Sequence, residues 1–164
     1  LQHDQLSSDG LILIQSLIRS GVPKMTFAGE IKAFLYTRLD ESACDEFDQA
    51  FQEEPSFLVL ERFLLLVIER EISRKDAQLL LNLWLICGGR AHDVLPYVYQ
   101  WLDRHGDGAR AFHVFEIWLE TTKSIRPLES YCRDWLKSRK EDANTRELKR
   151  KLEEIEGVFP LEDE

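Results

Sequence analysis

Trp84, Trp101, Trp118 and Trp135 are each followed by leucine, and each stands seventeen residues from the next. A helix turns every 3.6 residues, so a spacing of seventeen counts a larger unit: about twelve residues of helix, roughly 18 Å long, plus a turn. Aligning the units on their tryptophans exposes an inner face. The positions seven, four and three before the ring, the ring itself and the next residue read Ala77, Leu80, Leu81, Trp84 and Leu85 in the first unit. They read Val94, Tyr97, Val98, Trp101 and Leu102 in the second, and Ala111, Val114, Phe115, Trp118 and Leu119 in the third. The fourth gives Leu128, Tyr131, Cys132, Trp135 and Leu136. Offsets of three, four and seven share one side of a helix. Each tryptophan is therefore the last large knob of a buried stripe, and the pattern describes a core rather than a ligand cage. If successive helices run antiparallel, Trp84 and Trp118 lie toward one edge of the layer, Trp101 and Trp135 toward the other.

The same phase runs back through Leu60, Phe63, Leu64, Val67 and Ile68, then through Ala43, Phe47, Ala50 and Phe51, where Glu46 departs from it. Glycine, proline and capping residues divide the chain into about nine short helices. The first spans about Leu6 to Arg19, and Thr26 opens a second that ends near Leu39. Ser42 with Asp45, and Ser73 with Asp76, have capping-box spacing before the third and fifth helices. Pro55 precedes the fourth, from Ser56 to Glu71, and Gly88 and Gly89 stop the fifth. Ala91 or Asp93 begins the sixth, Asp107 caps the seventh, Pro127 opens the eighth, and Asn144 with Glu147 opens the ninth, which Gly157 closes. No strand alternation appears, so the fold class is all-α.

Two seventeen-residue units make a helical hairpin of 34 residues, the size used by several α-solenoids. In dimension alone this is similar to a tetratricopeptide array; the small residues that family carries at fixed places are missing. The expected architecture is one domain over residues 1–164, an α-solenoid-like stack of antiparallel hairpins with clear periodicity over 77–136 and a C-terminal capping helix at 144–157. A closed all-α bundle is the alternative.

Thirty acidic against twenty-one basic residues give a formal charge of −9, which repels nucleic acid and anionic membranes as a whole. The apolar run from Phe57 to Ile86 is broken by charges such as Glu61, Arg62, Glu69 and Arg74, so it does not make a transmembrane span. Cys44, Cys87 and Cys132 cannot all pair internally, which suits the cytoplasm or another reducing compartment. Paired metal-ligand spacing, a nucleophile elbow and a phosphate-binding loop are all missing. Gly88, Gly89 and Arg90 read as a helix stop. No cofactor, no metal and no catalysis are expected.

Charge is unevenly placed. Residues 40–54 hold seven acids and no base, whereas 88–150 hold twelve bases and ten acids. The functional expectation is a protein-interaction, scaffold or adaptor module that binds a partner protein or peptide through a helical groove or edge, as a monomer or weak homodimer. Partner-binding candidates are Tyr99, Arg104 and Arg110, with the acids Asp45, Glu46 and Asp48 offered to a basic partner. The alternative is a nucleic-acid-binding helical-repeat domain using the basic side chains of 88–150, including Arg90, Arg126, Arg133 and Arg139.

Overall fold

The computed structural model describes residues 8–157. They form nine α-helices: α1 Ser8–Arg19, α2 Ala28–Arg38, α3 Glu41–Glu53, α4 Phe57–Glu71, α5 Gln78–Ile86, α6 Ala91–His105, α7 Ala111–Thr122, α8 Glu129–Ser138 and α9 Ala143–Glu156. No strand occurs among the described residues. Single 3₁₀ turns, Lys24–Phe27, Lys75–Ala77 and Arg126–Leu128, lead into α2, α5 and α8. The expected start of the first helix at Leu6 lies outside the described residues. No helix described is long and apolar enough to cross a membrane.

Helix ends follow side-chain chemistry more closely than motif spacing. Asp40, not Ser42, caps α3, its Oδ1 accepting the Ala43 N–H at 2.8 Å. Asp142 and Thr145 form the reciprocal box on α9, ahead of the expected Asn144. A carboxylate near the first turn makes a charge-assisted bond and meets the positive end of the helix dipole, so it displaces a hydroxyl or amide nearby. Thr26 lies within a 3₁₀ lead-in and Asp107 lies ahead of α7, so neither caps a helix as expected. The stop after α5 is as read: Gly88 donates to Leu85 O at 3.0 Å and Gly89 to Trp84 O at 2.9 Å, with Gly88 at φ 89°. A Cβ on Gly89 would lie 2.5 Å from Trp84 Cε2, so the indole lies directly against the backbone of its own stop.

Every position of the four tryptophan stripes is buried except Tyr97 and Tyr131, which are half-buried. The off-stripe residues Phe112 and Ile117 are buried as well, giving α7 a second inner face. Helices α4 and α5 are the most enclosed: α2, α3, α5 and α6 pack on α4, while α1, α4, α6 and α7 surround α5.

That enclosure overturns the expected solenoid. In an open stack each hairpin touches only its neighbours in sequence. Here α1 skips α3 and packs on α5, where Gln15 Nε2 donates to Leu79 O at 2.9 Å. At its end, Arg19 Nη2 meets Glu120 Oε2 of α7 at 2.6 Å. Lys151 of α9 reaches the same oxygen at 2.8 Å as α9 packs on α7. Three helices thus close around one carboxylate, and the architecture is a compact bundle. The physical reason lies in the partners available to α1. Helix α3 carries a single apolar stripe, Ala43 and Phe47, and spends it within the α2–α4 aromatic cluster, where Phe47 lies 4.8 Å from Phe63. Helix α5 is apolar on nearly every side and needs cover on each.

Burial raises the Glu120 carboxyl, but hydrogen bonds from Lys151 and Arg19 outweigh it and leave its pKa below the ordinary 4.5. A depressed folded pKa contributes stability that is present above the unfolded value and lost as pH falls through the folded one. Thermal melts from pH 6 to 3 should show the wild-type protein losing this contribution below about pH 4.5. Glu120→Gln should cost about 1–2 kcal/mol at pH 7 and have a flatter profile over that acid range. A second expectation concerns the α5 stop: Gly89→Ala should cost about 1–3 kcal/mol in chemical denaturation, because the new Cβ would press on the buried Trp84 indole.

Candidate functional site

Each buried indole must place one N–H on an acceptor, and in this chain all four acceptors are carbonyls outside the α-helices. Trp84 Nε1 donates to Arg90 O at 2.9 Å and Trp118 Nε1 to Ser124 O at 3.0 Å, each six residues onward. Trp101 Nε1 instead reaches back to Lys75 O at 3.0 Å, and Trp135 Nε1 to Gly108 O at 2.9 Å. The first pair fixes the turns after α5 and α7. The second fixes the turns before those same helices, which lie at the opposite edge.

The turns held by Trp101 and Trp135 border one cleft. Lys75, Arg104, His105, Asp107 and Arg110 line it around the backbone of Gly108 and Ala109. An adjoining cleft shares Arg104 and adds Ile72, Ser73, Gln100 and Asp103. His105 is fixed between them, with Nε2 2.9 Å from Ser73 O and its ring 5.4 Å from that of Trp101. Lys75, Arg104 and Arg110 are exposed, and none of the three forms an ion pair among the described residues. Arg110 Nη1 donates to Gln78 Oε1 at 3.2 Å. Among the described residues the cleft therefore presents three cations without an ion pair and Asp107 as its one acid, an arrangement suited to carboxylates.

Of the residues expected from sequence, the structure brings Arg104 and Arg110 together. Tyr99 stands apart from this cleft, between α6 and α8, donating from its hydroxyl to Pro127 O at 2.9 Å and stacking on Tyr131 at 5.9 Å. Tyr131 in turn donates to Asp103 Oδ1 at 2.6 Å, and that carboxylate together with burial pushes the phenol up to about 12. Asp45, Glu46 and Asp48 are exposed on α3, which packs on α4, and none lines the cleft. Lys75 was missed because it falls in a lead-in turn outside the stripes. Gln78 and Asn82 were missed too, although two amides spaced i, i+4 within QLLLNLWLI are a visible departure in an otherwise apolar helix.

Several chemistries are poorly served by these side chains. Burial pushes the thiols of Cys87 and Cys132 up to about 12, so both stay protonated at neutral pH. Among the described residues no three or more His, Cys, Asp or Glu side chains gather as a metal site; His3 lies outside them. Comparisons with protein-family models, curated proteins and solved structures return no match.

Because the Gly108 turn depends on the Trp135 N–H, Trp135→Phe should keep the burial and lose the anchor. The expected cost is about 1–2 kcal/mol, with faster amide hydrogen exchange concentrated at residues 106–110. Uniform acceleration across the bundle would show that the bond does not act on this turn.

Proposed function

We propose that the protein is a non-catalytic binding domain that holds an acidic segment of a partner protein or peptide on the cleft of Lys75, Arg104 and Arg110. The observation that carries this reading is the convergence on one cleft of three cations that have no carboxylate partner among the described residues, in a chain with a formal charge of −9. Several bases elsewhere have carboxylates beside them. Arg90 pairs with Asp93, Arg133 with Glu129, Lys149 with Glu141, and Arg150 with both Glu147 and Glu154. Pairs of this kind at the surface add little stability, but exposed or half-buried they lower the potential that a phosphate backbone would meet. Arg139 lies 4.8 Å over the Trp135 ring, which gives that cation an aromatic neighbour as well. The positive potential left at the cleft is local, a better match for one or two carboxylates than for a nucleic-acid strand.

Panning a phage-displayed library of linear peptides against the full chain, followed by anisotropy with synthetic hits, tests the reading. The hits should carry Asp or Glu, and Lys75→Glu combined with Arg104→Glu should weaken them about tenfold or more without altering the melt, because both side chains are exposed. Hits indifferent to that double variant would sink the proposal. Salt-steep binding of an oligothymidine that the double variant abolishes, with no peptide hit, would put a nucleic acid in the cleft instead.

A further inference from the structure

The basic cleft holds more positive charge than one carboxylate can meet. Among the described residues Lys75, Arg104 and Arg110 stand against Asp107 alone, which leaves an excess of two charges. The acids next in sequence to Lys75 and Arg104 are engaged. Asp76 lies 3.3 Å from Arg74 Nε, and Asp103, in the adjoining cleft, accepts the Tyr131 hydroxyl at 2.6 Å. A single Asp or Glu from a partner would neutralise half of that excess.

One cation of the cleft is held in place from below. Gln78 is 3% exposed in the otherwise apolar α5, and its Oε1 accepts from Arg110 Nη1 at 3.2 Å. That is the one hydrogen bond of the Gln78 side chain among the described residues, so a carboxamide buried where leucine would pack serves to orient a surface guanidinium. The bond leaves Arg110 Nε and Nη2 for a ligand. A cation fixed in advance loses less side-chain freedom on binding. Main-chain donors stand beside it. Gly108 O already accepts from Trp135 Nε1 and, at 3.2 Å, from the Ala111 N–H. The N–H groups of Ala109 and Arg110, just ahead of α7, donate to no acceptor among the described residues. Ala109 is also the only apolar side chain in the lining, so the cleft suits a short charged group rather than an aromatic ring.

A carboxylate brings one charge and two oxygens. A phosphorylated side chain brings about −1.5 to −2 at pH 7 and three strong acceptor oxygens, which matches both the excess charge and the mixture of cationic and main-chain donors. We infer that the cleft reads a phosphorylated serine or threonine within the acidic partner segment, its dianion meeting Lys75, Arg104, Arg110 and the N–H groups of Ala109 and Arg110. The inference rests on the proposed function and names the residue recognised. Gln78 is a positioning residue that acts through Arg110.

The experiment titrates the full chain with fluorescein-labelled peptide pools that share degenerate flanks and differ only at the centre: phosphoserine, its phosphate monomethyl ester, or aspartate. By anisotropy the phosphoserine pool should bind about tenfold tighter than the aspartate pool. The monomethyl ester keeps the tetrahedral oxygens with one charge, and should fall back to the aspartate value. Lys75→Glu with Arg104→Glu should abolish the preference, and Gln78→Met should reduce it about threefold without lowering the melt. The amide protons of Ala109 and Arg110 should move downfield with the phosphoserine pool and much less with aspartate. Equal affinity for phosphoserine and aspartate overturns the inference, and where both are lost in the double variant the proposed function stands without it. A phosphoserine preference that survives the double variant, or inorganic phosphate bound as tightly as the phosphoserine pool, also overturns it. The pools are compared on the wild-type chain, so the decision does not depend on any variant folding. If no pool binds, the inference falls and panning alone decides the proposed function.

Discussion

The architecture depends on four indole N–H groups that cannot be left unpaired in a core. Each fills its stripe with the largest side chain available, and each then needs an acceptor within reach of a fixed ring. Carbonyls inside helices are already occupied, so the acceptors lie in turns. A packing device thereby becomes a device for holding loops. Trp101 and Trp135 act over 26 and 27 residues, and they fix the backbone at Lys75 and Gly108, the two sides of the basic cleft. Core residues at seventeen-residue spacing thus position the turns that carry the cations through main-chain carbonyls rather than through the charged groups.

Much of the bundle was legible because helix length, inner face and stop signals are local properties. The four stripes, the Gly88–Gly89 stop and the alternation of tryptophans between edges follow from 3.6-residue periodicity and backbone chemistry. The closure was not legible. Periodicity says which side of a helix is buried and says nothing about what buries it. The α1 residues Leu11 and Ile14 would fit any apolar surface, and only the contrast between a one-striped α3 and an all-apolar α5 selects the latter. The selecting contacts, Gln15 to Leu79 and Arg19 to Glu120, join positions 64 and 101 residues apart, beyond any local pattern.

The candidate site was half legible for the same reason. Arg104 and Arg110 flank one turn, so proximity in sequence exposed them, while Lys75 arrives from the preceding hairpin through the Trp101 anchor. The acids of α3 looked equally functional in sequence, since a run of charge is a strong compositional signal. In the structure they lie on the exposed side of a helix whose apolar stripe faces inward, and none of them lines the cleft.

A distinction follows between charge that is abundant and charge that is uncompensated. The bases of α8 and α9 are many, but Glu129, Glu141, Glu147 and Glu154 stand beside them, and the resulting pairs are worth little to stability or recognition. Glu120 shows the opposite economy: one carboxylate flanked by Arg19 and a largely buried Lys151 fastens three helices. Among the described residues the cleft cations lack such a carboxylate. In a chain whose acids outnumber its bases, three cations that meet at one cleft without a carboxylate partner among the described residues are the feature to which the proposed acidic segment answers.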